Sequence, residues 1–100
     1  MTYTEEQIKA EITAHIRKNG GSYSGWYVGI AKDAEKRLFE EHGVVKNGDG
    51  WIYRQAESNR AARDVESYFV NELGTDGGLG GGDLESDSVY AYKKNSHTKP

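Results

Sequence analysis

Apolar side chains recur at two different spacings along this chain, and the switches between them set the expected elements. Ile8, Ile12 and Ile16 return every fourth residue among polar neighbours, the stripe of an amphipathic helix over about residues 5–18. Thr4-Glu5-Glu6-Gln7 opens it as a capping box, in which Thr4 and Gln7 satisfy orphaned backbone N–H groups. Asn19-Gly20-Gly21 stops it, because Gly and Asn tolerate the left-handed C-terminal turn. His15 borders the stripe. With no second His or Cys one turn away, it reads as a partly buried surface histidine and not as a ligand.

The pattern then tightens. Trp26-Tyr27-Val28-Gly29-Ile30 is an unbroken, largely apolar run, read as a short strand that is apolar on both faces and so expected at the centre of a sheet. Trp26, Val28 and Ile30 share one face; Tyr27 and Gly29 share the other, with Gly29 leaving room for a close approach. Asp33 is an N-cap for a helix running to about His42, with Ala34 and Leu38 inward and Gly43 as its stop. A turn at residues 46–50 leads to a second strand, Trp51 to Ala56. Ser58 or Asn59 caps a helix over about residues 59–73, striped by Ala62, Val65, Phe69 and Leu73 and ended by Gly74. Ser88 to Tyr92 is a last strand, and residues 96–100 are expected to be a frayed tail. Helices and strands in this order give a small α+β domain over residues 1–95, about three strands flanked by about three helices.

Composition narrows the chemistry. One hundred residues suit one domain, and with 35% hydrophobic residues the core is small, so the eleven aromatics supply much of its area. The absence of cysteine excludes disulfides and thiol catalysis and fits a reducing compartment. No apolar run approaches a membrane span, and the N-terminus has no basic region or apolar core of a signal peptide, so a soluble protein of the cytoplasm is expected. The net charge is −3, yet residues 72–87 hold five acidic side chains and no Lys or Arg, leaving the rest of the chain weakly basic. Such a body can present a local basic face to nucleic acid; a solvated mixed surface is the plainer alternative.

Glu66 falls on the buried edge of its helix stripe, where a carboxylate must be paired, protonated or ligating a cation. The glycine-dense run Gly77 to Asp83 has no GxGxxG register, no following Lys-Ser/Thr, and comes after a helix. It is therefore neither a dinucleotide fingerprint nor a phosphate loop; it reads as a connector, with Asp76 and Asp83 placed to bracket a cation.

Tyr27-Val28-Gly29 with Arg37 ten residues on, in "AEKRL", and Glu66 in "WIYRQAESNRAARDVESYFV" together resemble the GIY-YIG nuclease domain over roughly residues 24–73. The resemblance implies a mostly antiparallel sheet and a metal-dependent endonuclease acting on nucleic acid, with DNA as the expected partner. Tyr27 would stand near the nucleophile, Arg37 on the phosphate, and Glu66 on one Mg²⁺ or Mn²⁺ ion. These residue types suit the chemistry. Arg offers a planar fork to phosphate oxygens, Mg²⁺ keeps most of its waters and needs few carboxylates, and a Tyr or His can position water and take its proton.

The sequence departs from the family in three places. The family's first motif, Gly-Ile-Tyr on a preceding strand, is missing, and an N-terminal helix stands in its place. One hypothesis is a permuted arrangement in which the strand carrying Tyr90 and Tyr92 fills that position. The family commonly has His or Tyr four residues after the arginine; here Glu41 is there and His42 follows, turned by about 100° on an ideal helix. The family's Asn beyond the acidic residue has Asn71 as its candidate, closer than usual. The alternative function is a catalytically degenerate module that binds a protein or nucleic acid partner. A purely structural subunit, marked by a large exposed apolar patch, is a third.

Overall fold

The computed structural model describes residues 1–48, 50–78 and 85–100. Helix α1 (Glu5–Asn19) begins at the expected capping box: Gln7 N–H donates to Thr4 Oγ1 at 3.1 Å, and Thr4 N–H to Gln7 Oε1 at 2.9 Å. A short 3₁₀ turn (Tyr23–Gly25) leads into β1 (Trp26–Ala31). A helical segment then ends in a π-type turn (Lys36–Glu41), followed by β2 (Trp51–Gln55). Helix α2 (Asn59–Ser67), capped by Ser58, widens into a second π-type turn (Tyr68–Leu73), closed by Gly74 at φ +86°. Strand β3 (Ser88–Lys93) completes the fold. This is the small α+β architecture expected, with a three-stranded antiparallel sheet.

The strand order is β1-β3-β2, so the last strand is the central one. The expectation that β1 lies at the centre is corrected. Its apolar character on both faces has another source: it is covered above and below, and its outer edge is closed by the segment after α2. There Val28 N–H donates to Asp76 O at 3.0 Å and Asp76 N–H to Trp26 O at 2.8 Å.

The two sheet faces differ in kind. Trp26, Val28 and Ile30 of β1, Ile52 of β2, and Val89 and Ala91 of β3 pack against Ile8, Ile12 and Ile16 of α1 and Ala62, Val65 and Phe69 of α2. The opposite face carries Tyr27, Tyr90, Tyr92, Trp51 and Tyr53, covered by Ala34, Leu38, Phe39 and Val44. Alternation along each strand sends its residues to the two sides in turn. Among the described residues no helix is long and apolar enough to cross a membrane, and the exposed large hydrophobic side chains are Met1 and Val45.

The expected frayed tail is also corrected. Thr98 is buried, and Lys99 N–H donates to His42 O at 2.7 Å, so residues 96–100 fold back onto the end of the first π-type turn.

Candidate active site

Antiparallel pairing of β1 with β3 sets Tyr27 opposite Tyr92 and Gly29 opposite Tyr90. The three tyrosine rings stack on the aromatic face, with Tyr27 centred 5.3 Å from Tyr92 and 6.2 Å from Tyr90. Gly29 makes this possible: a Cβ there would lie 2.6 Å from Tyr90 Oη. The open space expected beside Tyr27 is thus filled by the ring and hydroxyl of a second tyrosine.

His42 reaches the same cluster through a local distortion of its helix. Its N–H donates to Arg37 O, five residues back, at 2.8 Å. A π-type turn closes on the fifth residue where an α-helix closes on the fourth, so it absorbs one extra residue. His42 therefore comes round to the side that an α-helical register would give Glu41. The ring lies 4.8 Å from that of Tyr27, and His42 is only 6% exposed.

The hydrogen bonds of His42 define its protonation. Nδ1 is 2.7 Å from Lys99 O; a carbonyl only accepts, so Nδ1 carries the hydrogen, and Tyr92 Oη at 3.1 Å is a second acceptor for it. Burial lowers the pKa of His42, with Arg37 adding to the effect and Lys99 O opposing it, which favours the neutral ring. Nε2 then holds a lone pair and accepts the Tyr90 O–H at 2.7 Å. The result is a directed chain, Tyr90 to His42 to a main-chain carbonyl, with the Tyr27 ring packed beside it.

Two charged groups act on this chain. Glu66, on α2, is 2% exposed and joins no salt bridge among the described residues. Burial pushes its pKa up to about 7, with Arg63 one turn earlier partly opposing. Arg63 Nε donates to Asn59 Oδ1 at 3.1 Å. Arg37 is half-buried and meets Glu41 at a loose 3.6 Å. It borders a shallow pocket of about 250 Å³ that is also lined by Lys32, Asp33, Lys36, Glu41 and Ser86, with Lys32 Nζ paired to Glu85 at 3.1 Å. Roomier hollows beside β2 and along α1 lie apart from these groups.

Both charges are felt at the tyrosines. Burial is the largest cause raising the Tyr27 pKa, Glu66 and Asp76 add to it, and Arg37 opposes. For Tyr90 the shift is upward, again chiefly by burial, with Glu66 adding and Arg37 opposing. Tyr92 is raised by burial.

Of the residues singled out from sequence, Tyr27, His42, Tyr90 and Tyr92 come together here, and Arg37 and Glu66 act on them as charges without a direct contact among the described residues. Asn71 does neither; it is exposed on the second π-type turn. Asp83 lies outside the described residues. Asp76 Oδ2 is engaged by Lys94 Nζ at 3.4 Å and its Oδ1 by Gly77 N–H at 2.9 Å. Neither Lys99, which acts through its main chain, nor Asp76 as the cover on β1 is marked by any pattern in the sequence. No protein-family model, curated protein or solved structure matches this chain.

Proposed function

We propose that this chain is a GIY-YIG-like, metal-dependent endonuclease domain in which the C-terminal strand stands where the family's first strand would be. The observation that carries the reading is convergence: the Tyr27 ring packs against His42, Tyr90 and Tyr92, Tyr90 is hydrogen-bonded to His42, and the charges of Arg37 and Glu66 both act on Tyr27 and Tyr90.

A single buried carboxylate without a salt-bridge partner fits a Mg²⁺ or Mn²⁺ ion that keeps most of its water. Glu66 would hold that ion, which neutralises charge on the scissile phosphate and its leaving oxygen. Arg37 binds a non-bridging phosphate oxygen through its planar fork, with Lys32 and Lys36 beside it to receive the phosphate backbone. Tyr27, the partly exposed member of the cluster, faces the attacking water. As the water oxygen bonds to phosphorus, its proton passes to Tyr27, the Tyr27 proton to Tyr90, and the Tyr90 proton to His42 Nε2. The phosphorus bond to the leaving oxygen breaks, and that oxygen takes a proton from solvent. The imidazolium then returns its proton to solvent. Burial that keeps His42 neutral is what leaves Nε2 free to accept. Absence of cysteine suits work in a reducing cytoplasm, and DNA is the substrate class proposed.

The test is nicking of supercoiled plasmid and of a branched duplex, with Mg²⁺ and then Mn²⁺. Cutting by the wild type that falls on the order of 10²-fold or more in Arg37→Ala and in Glu66→Ala supports the reading. No cutting, or equal cutting by all three proteins, rejects it in favour of a catalytically degenerate module that binds a protein or nucleic acid partner.

A further inference from the structure

The segment after β3 does more than cover the domain. Lys94 N–H donates to Gly25 O at 2.8 Å, fixing the exit of the chain from the sheet. A tight turn follows. Asn95 N–H donates to Thr98 Oγ1 at 3.0 Å, the Thr98 hydroxyl donates back to Asn95 O at 3.1 Å, and His97 N–H donates to Asn95 Oδ1 at 3.1 Å. Thr98 is 8% exposed. The turn presents both main-chain groups of Lys99 to one residue: Lys99 N–H donates to His42 O at 2.7 Å, and Lys99 O accepts from His42 Nδ1–H at 2.7 Å. Gly43 accommodates the approach, with φ at +71° and a would-be Cβ only 3.2 Å from His97 O.

We propose that residues 95–99 are a positioning element for His42, and that the Lys99 carbonyl selects the ring tautomer in which Nε2 faces Tyr90 as an acceptor. The catalytic consequence rests on the endonuclease reading above; the tautomer does not. A carbonyl hydrogen-bonded to one ring nitrogen dictates which nitrogen carries the hydrogen. Without Lys99 O the ring is free to carry its hydrogen on Nε2. It then donates to the Tyr90 oxygen, and a proton arriving at Tyr27 has no acceptor at the end of the chain. Tyr92 Oη, at 3.1 Å, is the longer and weaker contact to Nδ1, so the carbonyl is the dominant restraint. Lys99 contributes through its main chain, so its side chain is free to vary.

The experiment is ¹⁵N NMR of the imidazole nitrogens of His42 in three proteins: the full chain, a chain ending at Lys94, and full-length Thr98→Val, which keeps the packing but removes the hydroxyl from the turn. The full chain is expected to hold its hydrogen on Nδ1. The shortened chain is expected to shift to Nε2–H or to a mixture, and Thr98→Val to lie between them. Hydrogen on Nε2 in the full chain overturns the proposal, as does an unchanged Nδ1–H tautomer in a folded shortened chain. Should the shortened chain fail to fold, the full-chain and Thr98→Val spectra decide by the same criteria. Cleavage provides the second readout. Both variants are expected to lose about 10- to 100-fold in rate at saturating DNA, with DNA affinity unchanged. A lost tautomer with an unchanged rate contradicts the positioning role. Absence of cleavage in the full chain contradicts the endonuclease reading and leaves the tautomer result to stand by itself.

Discussion

The two faces of one three-stranded sheet are built on opposite plans. Val28, Ile52, Val89 and Ala91 turn to the helices and bury only hydrocarbon, beside Ile8, Ile12, Val65 and Phe69. The residues between them, Tyr27, Tyr90 and Tyr92, turn to the other side and bury hydroxyls and an imidazole. The helix face gains from every methylene removed from water. The aromatic face gives part of that gain back, because each buried polar group must find a partner. A small domain with a small core has little reason to build such a face for stability alone. The contrast separates what holds the fold from what the fold holds.

That contrast can be broken first at Phe69. Phe69→Ala should cost about 3–5 kcal/mol by opening a cavity on the helix face, measured by urea unfolding. A much smaller loss would mean that this face is not the main support of the fold. Gly29→Ala probes the seam between the faces. The added Cβ forces the Tyr90 ring aside, costing roughly 1–3 kcal/mol, and the Tyr90–His42 bond should disappear from the imidazole ¹⁵N spectrum. Tyr90→Phe should cost on the order of 1–3 kcal/mol because it strands His42 Nε2. Under the proposed function it also removes cleavage, while Tyr53→Phe should cost under about 1 kcal/mol, since the Tyr53 hydroxyl meets Glu35 in an exposed setting.

Most of the helix face was legible in the sequence, and the aromatic face only in part. Ile8, Ile12, Ile16, Val65 and Phe69 announce their sides by period alone, because packing against a neighbour demands it. Tyr27, Arg37 and Glu66 were legible as types suited to phosphate chemistry. Two features were hidden for physical reasons. The position of His42 follows from a hydrogen bond that skips one residue, which spacing on an ideal helix cannot express. The anchoring of residues 95–99 depends on main-chain groups meeting across the fold, and short polar residues before a terminal proline give no periodic signal. The central place of β3 was concealed for a related reason. Burial on both faces marks β1 as covered, but a cover made by irregular chain at Asp76 reads the same as a neighbouring strand.

Glu66 is the buried charge on α2, and the sign of its effect on stability can be worked out. Its folded pKa, about 7, is above the ordinary value of 4.5, so the folded state keeps the proton to higher pH than the unfolded chain does. Stability must then fall as pH rises through that window, because the folded state binds more protons there. Glu66→Gln removes the titration with little change of shape. At pH 5 the variant and the wild type should be similarly stable; at pH 8 the variant should be more stable by about 1–3 kcal/mol.

The measurement that tests the central claim most directly is therefore thermal unfolding of wild type and Glu66→Gln at pH 8, with and without millimolar Mg²⁺. If Glu66 is a buried charge kept for a cation, the Gln variant melts higher in the absence of metal, and Mg²⁺ raises the melting point of the wild type alone. A Gln variant that melts lower at pH 8, or a Mg²⁺ effect equal in the two proteins, would contradict the account and return Glu66 to an ordinary structural role.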